Sequence, residues 1–76
     1  MFAMRYKMIG LKIAYYRKMR GYIQGQLAGK IGISTTYLGQ IERGNNGKSY
    51  SLETLLSIAV GLDIDVNLLL SSSENI

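Results

Sequence analysis

Thr35, Thr36, Tyr37 and Gln40 place four neutral hydrogen-bonding side chains within six residues, and Arg43 follows three residues later. Hydroxyl and carboxamide groups both donate and accept, so such a group of residues suits the reading of a donor and acceptor pattern. A threonine can hydrogen-bond a nucleobase edge and lay its methyl group on that of thymine, and a glutamine can pair bidentately with adenine. A tyrosine can stack on a sugar or hydrogen-bond a phosphate. Lysine and arginine are missing from this edge until Arg43, which fits contact with base edges more than a grip on phosphates. Gly39 falls on the same outward edge and contributes no side chain, which shrinks the contact footprint.

Other chemistries find little support. Cysteine and histidine are absent, which removes disulfides, thiolate or imidazole metal sites and histidine acid–base catalysis. The five acids form no recognisable pair, and neither a glycine-rich phosphate loop nor an activated nucleophile is present. An enzyme, a metal, a cofactor and a small-molecule ligand are therefore not expected. The 76 residues suit one small domain spanning 1–76, with an ordered core over about 6–70 and a polar tail over 71–76. A core of that size is marginal, and burial of more surface in a dimer would help it. No apolar run reaches the roughly 18 residues of a membrane span and no cleaved signal is evident, so the cytoplasm is the expected compartment.

The elements that must position the reading edge lie in 24–44, QGQLAGKIGISTTYLGQIERG. Leu27, Ala28 and Ile31 give 24–31 one apolar face, and Leu38 and Ile41 give 35–43 another. Gly32 stands where a helix ends in a left-handed residue, and Ser34 is placed to N-cap the next helix. Ala28 is small enough to let the second helix cross close to the first. Two short helices, a glycine turn and apolar anchors fit a helix-turn-helix.

Gln24, Leu27-Ala28, Gly32, Ile33-Ser34, Leu38, Ile41 and the run Glu42-Arg43-Gly44 resemble the helix-turn-helix of the Cro/C1 (phage repressor-like, XRE) transcriptional regulators. With flanking residues the resemblance covers about 9–70. It implies an all-α, five-helix lambda-repressor-like DNA-binding domain with the helix-turn-helix at helices two and three. It further implies sequence-specific binding of double-stranded DNA by a homodimer on a palindromic operator. The matching base-reading positions are Thr35, Thr36 and Gln40, and Gln24 matches a phosphate contact. Arg17 and Glu42 match a partly buried ion pair that fixes how the first and third helices dock. The same domain type also serves antitoxins of toxin–antitoxin pairs and restriction-modification controller proteins, and these stay open as alternatives.

The rest of the chain supports this layout. In 6–20, Ile9, Ile13 and Tyr16 form an apolar stripe, with Lys12, Lys18 and Arg20 mostly off it. Ile23 stands where a Ser or Thr cap would be usual, so the second helix is expected to start late or fray. In the loop 44–50, Asn45, Asn46 and Gly47 suit a turn. Arg43, Asn45, Asn46 and Lys48 could clasp the backbone of DNA there, although the same tract suits a bare turn. Ser51 caps a fourth helix over 51–61 whose core face is Leu52, Leu55, Ile58 and Ala59. Asp65 can cap a short fifth helix over about 66–70. Leu68, Leu69 and Leu70 exceed what the core needs and are assigned to the dimer interface, as in the family.

Charge is polarised. Residues 1–48 hold all nine basic groups and one acid, a net +8, while 49–76 hold four acids and no base, a net −4. A polyanion on one side only is the matching partner. Replacement Gln40→Ala is expected to lose discrimination at one or two base pairs by about 1–3 kcal/mol. Equal weakening on every sequence, measured by equilibrium binding to single-substituted duplexes, would show that Gln40 reads nothing.

Overall fold

The five helices of the described residues pack around one shared core. The computed structural model describes residues 2–71 and contains α1 (Ala3–Met19), α2 (Gln24–Ile31), α3 (Thr35–Glu42), α4 (Leu52–Leu62) and α5 (Asn67–Leu70). One short turn, Asn45–Gly47, lies between α3 and α4. No strand occurs among the described residues, and none of their helices is long and apolar enough to cross a membrane. Of the expected tail 71–76, all but Ser71 lies outside the described residues.

The core joins Ile13 of α1, Leu27 and Ala28 of α2, Leu38 and Ile41 of α3, Leu55, Ile58, Ala59 and Leu62 of α4, and Leu69 of α5. Complete burial of a Leu or Ile side chain is worth about 1.5–3 kcal/mol relative to exposure. Leu38 and Ile41, both fully buried, thus anchor α3 from its inner side while leaving its outer edge to solvent.

The helix-turn-helix forms as its residues dictate. Gly32 takes the left-handed conformation at φ 81°, and its amide and that of Ile33 both donate to the Ala28 carbonyl. Ser34 Oγ accepts from the Tyr37 amide at 3.0 Å, the expected cap of α3. The expected late start of α2 is not seen. Gln26 Oε1 accepts from the Ile23 amide at 2.9 Å, so half of a capping box replaces the missing hydroxyl and α2 begins at Gln24.

Four sequence expectations change. Helix α1 starts at Ala3, ahead of the expected residue 6, because its first turn packs on the turn after α3, with Ala3 against Gly47 and the Tyr6 ring 5.4 Å from that of Tyr50. Lys12 is 2% exposed, although periodicity places it off the apolar stripe; its ammonium donates to the Ser71 carbonyl just after α5. Leu52 is exposed, because Leu55, Ile58, Ala59 and Leu62 supply the buried face of α4 without it. Leu69 is fully buried between α5 and the core and is no part of a free surface, whereas Leu68 and Leu70 remain exposed. Tyr50 packs beside the core with a buried hydroxyl that finds no hydrogen-bond partner among the described residues. Burial, with Tyr6 and Tyr37 nearby, pushes its pKa up to about 12.

Two glycines set helix separations. A Cβ on Gly10 would press into the backbone carbonyls of Ile41 and Glu42, so α1 crosses the end of α3 at near-backbone contact. A Cβ on Gly61 would fall 2.5 Å from Ile31 Cγ2, so there α4 packs against side chains of α2 and not against its backbone. Gly10→Ala collides with main chain that cannot swing aside, and a loss of about 3 kcal/mol is expected, the upper end of ordinary overpacking. Urea denaturation checks this; a midpoint equal to that of the wild type would mean that the α1–α3 crossing has room to spare.

Candidate nucleic-acid interface

The scaffold beneath α3 is a buried ionic network. Arg17 and Glu42 are each 8% exposed. Arg17 Nε donates to Glu42 Oε2 at 2.7 Å and Nη2 to Oε1 at 3.0 Å, a bidentate fork. Arg17 Nη1 donates to the Tyr22 carbonyl at 2.9 Å, and Gln24 Nε2 donates to Glu42 Oε1 at 3.0 Å. The expected pair is therefore formed, and it also holds the α1–α2 linker and the first residue of α2.

Above this base, Thr35, Thr36 and Gln40 are exposed on α3, as the sequence places them. Thr36 and Gln40 stand one helical turn apart, on one edge. Arg43 is exposed at the C-cap, and its side chain has no hydrogen bond or ion pair within the described residues. Tyr37 is only half exposed because its ring packs against the core. Gly39 is not on a bare outward edge. It is buried beneath two side chains: a Cβ there would stand 3.2 Å from Arg43 Nη1 and 3.5 Å from Gln24 Oε1. Gln24 is half-buried, with its amide nitrogen committed to Glu42, which limits it as a phosphate donor.

The loop after α3 is a run of four residues, 44–47, with positive φ: 95°, 53°, 54° and 74°. Glycine takes this conformation freely and asparagine tolerates it better than other side chains, which explains the sequence Gly-Asn-Asn-Gly. Amides of Gly47 and Lys48 donate to the carbonyls of Gly44 and Asn45 at 2.9 Å each. Asn45 Nδ2 donates to the Lys48 carbonyl at 3.0 Å and approaches that of Ser49 at 3.4 Å. Asn45 thus braces the loop, and its donors are not available to phosphate, a correction to the sequence assignment. Lys48 is exposed. Lys7 is a further exposed cation here, and its backbone packs against Gly44 beside the end of α3.

Two other exposed cations, Arg20 and Lys30, are committed elsewhere. Arg20 donates to the carbonyls of Leu62 and Asp63, and Lys30 to the carbonyl of Gly61 and the hydroxyl of Tyr22. Both neutralise the carbonyl-rich end of α4. Among the described residues no group of three or more acidic side chains is placed to hold a metal.

A helix-turn-helix on a five-helix frame, with a polar outer edge on its second helix, defines a class, and the comparisons agree. Residues 13–69 match the family model described as Helix-turn-helix. The chain belongs to this Cro/C1-type helix-turn-helix family. It is similar to the HTH-type transcriptional regulator SinR of Bacillus licheniformis, 39% identical over 67 residues that make up 88% of this chain and 60% of that protein. SinR of Bacillus subtilis is 41% identical with the same coverage. The chain thus spans about three-fifths of the length of these curated relatives. The crystal structure of the restriction-modification controller protein C.AhdI from Aeromonas hydrophila has the same fold, with a TM-score of 0.78 at 31% identity over 84% of this chain and 94% of that one.

Removing one member of a buried ion pair strands the other and costs about 3–5 kcal/mol. A 76-residue domain has on the order of 4–11 kcal/mol in total. Glu42→Ala is therefore expected to leave the chain barely folded at 25 °C, whereas the double replacement Arg17→Met with Glu42→Leu recovers most of the loss. Chemical denaturation of the single and double variants checks this; a double variant no better than the single would show that the pair acts through more than mutual neutralisation.

Proposed function

We propose that this chain is a sequence-specific DNA-binding transcriptional regulator that acts as a homodimer. The observation that carries the reading is the outer edge of α3, where Thr36 and Gln40 stand exposed one turn apart on a helix held rigidly from beneath by Leu38, Ile41 and Glu42. Laid in a major groove, that edge offers Thr35, Thr36 and Gln40 to bases. Lys48 and Lys7, exposed on either side of the turn that follows α3, supply cations to the phosphates flanking the groove. Family membership supports this placement, as do the regulators to which the chain is similar.

For the dimer, exposed Leu68 and Leu70 of α5, with Leu52 and Leu56 of α4, supply an apolar surface. Leu70 and Leu52 share one shallow groove with Phe2, Tyr6 and Ile9. Two copies related by a two-fold axis would place their α3 helices in successive major grooves about 34 Å apart, on an approximate palindrome. A restriction-modification controller is the second reading, favoured by the likeness to C.AhdI over nearly all of that chain. A methyltransferase gene beside this one would mark it.

Selection of duplexes from a random pool tests the proposal. The expected product is a pair of inverted half-sites about 10 base pairs apart, centre to centre. Their affinity should fall steeply with added salt. Binding that responds to salt and shows no sequence preference would reject specific reading. Exchange of Leu68 and Leu70 for serine is expected to give monomers in sedimentation; dimers that persist would place the interface elsewhere.

A further inference from the structure

We infer that Gly39 is a specificity device: it opens a slot on α3 into which Arg43 folds, making Arg43 a reader of guanine instead of a phosphate clamp. The inference rests on the DNA-reading role proposed above and names which base one of its side chains recognises.

Gly39 flanks Thr36 on the side of α3 that faces Gln24 of α2 and carries no side chain, yet it is buried. Its cover is known. Arg43 Nη1 lies 3.2 Å from where a Cβ would stand, and the Gln24 carboxamide lies 3.5–3.7 Å from the same point. The guanidinium therefore runs back one full turn along α3 from the C-cap. Four residues of helix rise about 6 Å, so the charge is carried about that far toward the N-terminal end of α3. That direction decides its role. Recognition helices touch base edges with their N-terminal part. An arginine extended outward from the C-cap would reach the backbone of the DNA. One laid over Gly39 lies close to the level of Gln40.

The guanidinium is free to act there. It has no hydrogen bond or ion pair within the described residues, and Arg43 as a whole is exposed. Its planar fork presents two parallel N–H donors, which match the O6 and N7 acceptors of guanine. Gln24 walls the slot on its other side. Its amide is fixed on Glu42, which is fixed on Arg17, so the wall is held by the buried network. A longer residue at 39 would occupy the slot and push the guanidinium outward.

The probe is a duplex that the wild-type chain selects from a random pool, together with its single-base variants. One position per half-site should prefer guanine by about 5- to 150-fold. Arg43→Ala should erase that preference while leaving discrimination at the other positions in place. Gly39→Leu keeps the arginine and adds a helix-favouring side chain without donors. It should lose the same preference and steepen the slope of affinity against salt by about one, because the displaced guanidinium then reaches a phosphate, with an unchanged circular dichroism spectrum. Two results would overturn the inference: Arg43→Ala weakening every duplex equally and lowering the salt slope by about one, or Gly39→Leu retaining the guanine preference. A wild-type chain that selects no sequence at all would sink the DNA-reading function itself, a result recognisable before any variant is made.

Discussion

The fork between Arg17 and Glu42 is the constraint on which the other parts depend. Both carboxylate oxygens are used, Oε2 by Arg17 Nε and Oε1 by Arg17 Nη2 and Gln24 Nε2. The remaining guanidinium nitrogen reaches the Tyr22 carbonyl. One buried cluster therefore ties α1, the α1–α2 linker, the start of α2 and the end of α3. Such a pair gives little net stability over apolar side chains of equal volume, because the cost of removing two charges from water offsets their attraction. Its effect is geometric. A guanidinium accepts only a narrow set of carboxylate orientations, so the rotation of α3 about its axis is fixed by Glu42. Gly10, two turns before Arg17, lets α1 rest on the Ile41 and Glu42 carbonyls and fixes the distance as well.

That rotation separates the two duties of α3. Leu38 and Ile41 face inward, Glu42 faces α1, and Thr35, Thr36 and Gln40 are left outward. A helix of eight residues is too short to be stable alone in water, so its outer edge is only as rigid as its packing. The left-handed run at 44–47 then returns the chain toward the start of α1, and brings Lys7 beside the end of α3.

The structure also divides the cations that the sequence counts together. Arg17 and Lys12 are interior, and Arg20 and Lys30 serve the end of α4. The exposed bases not engaged in this way are Arg5, Lys7, Lys18, Arg43 and Lys48. Net charge thus overstates what the basic half offers to a polyanion. A long aliphatic stem lets lysine and arginine reach distant carbonyls, and their use is settled by which carbonyls the fold leaves within reach.

Much of the fold was legible because its signals are local. The end of α2 at the left-handed Gly32, the Ser34 cap and the inward Leu38 and Ile41 follow from spacings of three or four residues and from the backbone preference of glycine. Thr35, Thr36 and Gln40 fell on the exposed side by the same periodicity, and the Arg17–Glu42 pair came from family resemblance. Other features required the assembled chain. Lys12 meets the Ser71 carbonyl 59 residues away, Leu69 leaves the surface for the core, Asn45 turns its donors on its own loop, and Gly39 disappears beneath Gln24 and Arg43. Helical period tells which residues share a face. It does not tell what other segment arrives opposite that face, and a side chain's partner depends on that arrival.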